Sequence, residues 1–275
     1  VQKKRVATKK ATKAKKASAK TARAAKSPFA RRDPVAAATA KAELTHVYGN
    51  HVVCSTDARG HAMPRGLSPV KIVLDASEGF IPLWDEDVTL RWRFQESSLT
   101  AFEHPEEAKA VTRELLGRAL LAWGDATPIK FLERRENWDF EIVFRESDDC
   151  DSSGCVLASA FFPGGGQGEV VLYPKLFEQT DQEQLETLVH ELGHVFGLRH
   201  FFANVSERAW PSEVFGVHRP FSIMNYGAKS VLTDDDRNDL KRLYKQVWSR
   251  ELTEINGTVI RLMRPFSARR TKIAI

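Results

Sequence analysis

Two spacings of apolar residues alternate along the middle and end of the chain. Val88, Leu90, Trp92 and Phe94 alternate with polar neighbours, the two-residue repeat of a half-buried strand. Val111, Leu115, Ala119 and Trp123 then recur every fourth residue, which predicts a helix over Pro105–Trp123 with Gly124 as its stop. Short runs at Ile129–Leu132 and Glu141–Phe144 predict two further strands, and Glu169–Tyr173 predicts another after the glycines at 164, 165, 166 and 168. Thr180 with Glu183 forms a capping-box pattern. Leu185, Leu188, Val189, Leu192 and Phe196 follow at three- and four-residue steps, so a helix is expected over about 181–196. Thr233 with Asp236 opens a last helix through Leu240, Leu243, Tyr244 and Val247; Asn256 and Gly257 make a turn before a strand over Thr258–Met263. Strands interleaved with helices imply an α/β (α+β) domain with a twisted, mostly parallel sheet over 81–250, long enough for one core.

Charge divides the chain differently. Residues 1–32 hold 13 Lys or Arg and no acid, whereas the remainder carries 28 bases against 36 acids. The net charge of +5 is therefore made by the first segment alone. Residues 1–45 read as a basic, low-complexity, disordered tail, 46–80 as a linker or pro-like segment, and 251–275 as a C-terminal extension. A tract of this kind binds nucleic acid or another polyanion through charge, with steep salt dependence. No apolar run is long enough to span a membrane.

The candidate chemistry lies on the helix ending near 196. Within His190-Glu-Leu-Gly-His-Val-Phe-Gly-Leu-Arg-His200, His190 and His194 are four apart and share one helix face. Gly197, free to take positive φ, lets the chain stop and turn so that His200 returns as a third ligand. Three neutral imidazoles hold one Zn2+ and leave a coordination position for water. Glu191 lies about 100° round the helix, placed to take a proton from that water without being a ligand. This donor set points to a zinc-dependent metalloendopeptidase cleaving internal bonds of a protein or peptide substrate. The alternative is a catalytically inactive, zinc-containing binding protein, tethered to a polyanion by its tail.

These residues resemble a family. The spacing HExxHxxGxxH followed by a methionine turn is the metzincin signature, and Ser222-Ile-Met-Asn-Tyr226 resembles that turn. The resemblance implies the zincin-like fold, with an active-site helix and a C-terminal helix. It makes Met224 an apolar floor beneath the zinc. Tyr226 falls where astacin-like and serralysin-like members carry a tyrosine that binds the metal or stabilises the oxyanion. Residues 120–144, 156–172 and 232–244 are similar to the matrixin branch, with Glu169, Val170, Val171 and Leu172 expected as the edge strand along which a substrate lies. That setting implies secretion, to an extracellular or periplasmic space.

The chain also departs from the matrixin pattern. Ser159 stands where those proteins place a histidine for a second zinc, and no histidine occurs between His104 and His190. Phe201 follows the last ligand where a polar residue is common. Asp148, Asp149 and Asp151 can hold Ca2+ through oxygen. Of three cysteines, Cys150 and Cys155 are the expected disulfide pair, and Cys54 is left over in HVVCSTD, outside the matrixin latency motif.

Overall fold

The protein is described from a computed structural model, which covers residues 27–31, 46–48, 52–54, 72–76, 78–150, 154–200, 212–215, 222–224 and 230–270. The central sheet is built from β1 (His46–Tyr48), β2 (Val52–Cys54), β5 (Thr89–Phe94), β6 (Lys130–Glu133), β7 (Phe140–Phe144), β8 (Asp149–Cys150), β9 (Cys155–Ser159) and β10 (Gly168–Leu172). Its order is β6-β5-β7-β10-β9-β2-β1, with β8 pairing the start of β9. The run from β6 to β10 is parallel, as expected, and β9 is antiparallel to β10. Such a parallel run requires crossovers, and α1 (Pro105–Trp123) supplies the one between β5 and β6.

Capping explains where the helices begin. In α2 (Asp181–Val195) Thr180 Oγ1 accepts the Glu183 N–H at 3.3 Å, while Glu183 accepts the Thr180 N–H at 3.0 Å. The same reciprocal pair joins Thr233 and Asp236 at the head of α3 (Asp234–Trp248). Each pair satisfies two amides that a helix start would otherwise leave unbonded. Leu115, Ala119 and Trp123 of α1 and Leu188, Leu192 and Val195 of α2 share one core with Leu90, Phe140, Ile142, Val170 and Leu172 of the sheet.

Hydrogen-bonded strand pairs cross the sequence-based boundaries at 81 and 250. Within the expected linker, β3 (Ile72–Asp75) lies between β11 (Leu198–Arg199) and β12 (Ser212–Phe215), antiparallel to both. Within the expected extension, β14 (Thr258–Met263) pairs antiparallel with β13 (Glu254–Ile255) and parallel with β4 (Ile81–Trp84). The short α4 (Phe266–Arg270) is fastened by Asp139, which is buried. Its carboxylate accepts the Ser267 N–H at 2.6 Å, the Ser267 hydroxyl at 3.0 Å and the Arg91 N–H at 2.7 Å. Part of the expected tail is also seated on the domain: Ser27–Arg31 packs against Phe102, Phe144 and Phe177. Residues 1–26 and 32–45 lie outside the described residues.

One strand has a different place from the one expected. β10 is not an edge: β7 bonds it on one side and β9 on the other. Its burial follows from that position, with Val170, Val171 and Leu172 all buried. The strand flanking the outer side of the parallel run is β9, and β2 already lies along its free edge, pairing Val52 with Cys155 and Val53 with Val156. Sequence alternation locates a strand but not its neighbours, so the edge assignment of Glu169–Leu172 is corrected.

Candidate metal centre

His190 and His194 project from the last two turns of α2, and His200 follows β11. All three are buried, at 2%, 0% and 0% exposure. Their Nε2 atoms form a triangle with sides of 2.9, 3.1 and 3.1 Å. Nδ1 of His190 lies 2.7 Å from the Ile223 carbonyl, and Nδ1 of His194 lies 2.8 Å from the Leu198 carbonyl. A carbonyl only accepts, so both Nδ1 atoms carry the proton and both Nε2 lone pairs face inward. Three inward-facing nitrogens this close fit a cation. At a Zn–N distance of about 2.0–2.1 Å a single ion reaches all of them, because the circle through the three nitrogens has a radius of only about 1.8 Å. Among the described residues this is the one trio of His, Cys, Asp or Glu ligand atoms close enough to share an ion.

The turn after Gly197 explains how a third imidazole returns. Gly197 has φ of +94°, and a Cβ there would sit 2.9 Å from Leu83. The expected helix stop is therefore a glycine for two reasons, backbone sign and space. Beyond it, β11 is held against β3 in the register Leu198 to Leu74 and Arg199 to Val73. That pairing fixes the backbone immediately before His200.

The end of α2 is held by side chains that the sequence reading did not single out for this task. The last carbonyls of a helix lack partners within it. Here Trp84 Nε1 donates to Val195 O at 2.7 Å and the Tyr244 hydroxyl donates to Phe196 O at 3.0 Å. Nearly two turns earlier, Trp123 Nε1 donates to Val189 O at 2.9 Å. Burial pushes the Tyr244 phenol well above its ordinary pKa, so it remains a donor.

The methionine turn touches the helix directly. Met224 is buried, and its sulfur lies where a Cβ on Gly193 would be, at 2.3 Å. Ile223, fully buried beside it, supplies the carbonyl that orients His190. Phe162 packs edge-on to the His194 ring at 5.5 Å. Gly193, Ile223 and Phe162 were not picked out as site residues; the one local signal was a glycine inside a helix, where it costs about 1 kcal/mol relative to alanine. Glu191 is buried at 2% exposure, one residue on from His190. Tyr226, Phe201 and Asp151 lie outside the described residues.

Asp148 accepts the Lys175 N–H at 2.7 Å, and Asp149 belongs to β8, paired with Val156. Cys150 and Cys155 are joined by a disulfide. Their bond closes the β8–β9 hairpin.

A twisted, largely parallel sheet, a histidine-bearing helix capped by a glycine turn and a buried methionine beneath it together define a metallopeptidase-type zinc centre. The chain belongs to the matrixin family, whose model matches residues 83–245. It is 35% identical over 108 residues to the macrophage metalloelastase of Rattus norvegicus, a match covering 35% of this chain and 23% of that protein. It is 32% identical over 147 residues to the stromelysin-3 of Homo sapiens, covering 50% and 28%. The metalloendoproteinase 4-MMP of Arabidopsis thaliana is 30% identical over 135 residues, covering 43% and 38%. The chain thus spans less than two-fifths of the length of these relatives. Its cofactor is the catalytic zinc of that family, for which His190, His194 and His200 are the ligands at hand.

Proposed function

We propose that the chain is a zinc-dependent metalloendopeptidase that hydrolyses internal peptide bonds, with Glu191 as the proton-transfer residue. The observation that carries this reading is the buried triangle of Nε2 atoms on a helix that places a carboxylate next to the first of them. Zinc held by His190, His194 and His200 would supply Lewis acidity, lowering the pKa of water towards about 7 and polarising the substrate carbonyl. Glu191 takes the proton as water attacks and delivers it to the departing amine. Burial of the histidines keeps bulk water from competing for their lone pairs. Tyr226, two residues beyond Met224, is the candidate phenol donor to the developing oxyanion.

An extended substrate needs a sheet edge, and the outer edge of β9 is the one that leads into Phe162 and His194. Because β2 pairs with that edge, substrate addition there entails its displacement. A basic segment over 1–32 supports contact with a polyanion, and the disulfide supports a secreted setting. Among the described residues no helix is long and apolar enough to cross a membrane.

The decisive comparison is hydrolysis of a quenched fluorogenic peptide by the zinc-loaded wild type and by Glu191→Ala. We expect the variant to lose roughly 10²–10⁴-fold in kcat while keeping its zinc. Full activity in a zinc-replete Glu191→Ala protein would overturn the assignment.

A further inference from the structure

Ser27–Arg31 precedes the matrixin-matched span by some fifty residues, yet it is built onto the domain in detail. Pro28 and Phe29 form a turn in which the Ala30 N–H donates to Ser27 O at 2.9 Å and the Phe29 N–H donates to Ser27 Oγ at 3.3 Å. The turn delivers Phe29 to an aromatic pocket. Its ring stacks on Phe177 at 3.5 Å, meets Phe102 edge-on at 6.1 Å and lies 6.3 Å from Phe144. The next residues bond the backbone of the domain: the Glu103 N–H donates to Ala30 O at 2.8 Å, and Arg31 bridges to Phe102. The Arg31 guanidinium lies over the Phe102 ring and donates to the carbonyls of Arg145 and Glu146. Partial burial draws its pKa down, while Glu146 and Asp148 oppose that shift.

An aromatic anchor, main-chain hydrogen bonds and a cation held by carbonyls are the components of bound peptide rather than of a loop resting on a surface. We propose that the pocket formed by Phe102, Phe144 and Phe177 with the Arg145 and Glu146 carbonyls is a second peptide-binding site, specific for an aromatic-Ala-Arg segment, whose resident ligand is Phe29–Arg31. It lies by the start of α2, whereas the zinc ligands occupy the far end; His190 is nine residue steps along the helix from Asp181, a rise of about 13 Å. The occupant ends the basic tract, so the site moors the eleven Lys and Arg of residues 1–26 to the domain without a covalent bond. A cut in residues 33–45 then leaves the basic segment attached.

The test uses the full chain with a recognition sequence for a site-specific protease inserted between Asp33 and Thr45. After cutting, the sample is gel-filtered at about 1 M NaCl, where contacts made by charge alone are screened beyond about 3 Å. The basic fragment is expected to co-elute with the domain and to be displaced by excess synthetic peptide spanning Lys26–Asp33. Phe29→Ala should weaken retention by at least about tenfold, as loss of one partly buried, stacked aromatic side chain implies. Release of the wild-type fragment, or equal retention of the Phe29→Ala fragment, overturns the proposal. Zinc content and circular dichroism, expected unchanged in the variant, separate this result from misfolding, and neither readout depends on peptide hydrolysis.

Discussion

Gly193 shows how much of the centre is decided by a single missing methyl group. Alanine there would place Cβ 2.3 Å from the Met224 sulfur and 3.1 Å from its terminal carbon, while His190 and His194 flank it on the same helix. A methionine side chain can move, but the turn that carries it also supplies the Ile223 carbonyl to His190. We therefore expect Gly193→Ala to cost about 1–3 kcal/mol, the usual penalty of overpacking, and to weaken zinc binding as well. Thermal unfolding with and without a chelator measures both; unchanged zinc affinity would mean the turn and the ligand are not coupled. Tyr244→Phe removes the donor to Phe196 O and leaves a buried carbonyl unbonded, an expected loss of about 1–3 kcal/mol in denaturant titration. The ligand spacing was legible because all three histidines fall within one turn-and-helix segment. Met224 was legible through its resemblance to the methionine turn, whereas Trp84 and Tyr244 were not legible as supports, since they reach the helix from distant parts of the chain.

At the scale of elements, helices were more legible than strand neighbours. Both capping boxes and the stop at Gly124 are local patterns, and α1, α2 and α3 begin and end within a residue or so of where those patterns put them. Sheet order is set by contacts between distant residues, so β10 was readable as a strand and misread as an edge. The role of β3 was not legible for the same reason: Val73 and Leu74, assigned to a linker, pair with the segment leading into His200. Leu74 is fully buried opposite Leu198. Leu74→Ala is expected to cost about 2–5 kcal/mol and, unlike an equal loss elsewhere in the core, to raise the zinc dissociation constant in a chelator competition. The hairpin of β8 and β9 offers a third measurement. Opening its five-residue disulfide loop by Cys150→Ser with Cys155→Ser should lower stability by roughly 2 kcal/mol, the chain-entropy value for so short a loop, and added reductant should then have no further effect on the unfolding temperature.

For the molecule as a whole, described segments that lie outside the matched span are structurally engaged with it. β14 extends β4, β3 holds β11, and Asp139 ties α4 to β5. Asp139→Ala leaves three donors without their acceptor and should cost about 3 kcal/mol or more, while making the segment after Met263 the first to be cut in limited proteolysis. Composition had marked that segment off because it carries little periodic signal of its own. Trp84 and Trp123 add a practical dimension. Each indole is fully buried and bonded to a carbonyl of the histidine helix, so each is an optical reporter wired to the candidate metal centre. Fraying of that helix exposes both rings to water. The colour of tryptophan emission should then follow the integrity of the helix in real time, without a dye and without a substrate.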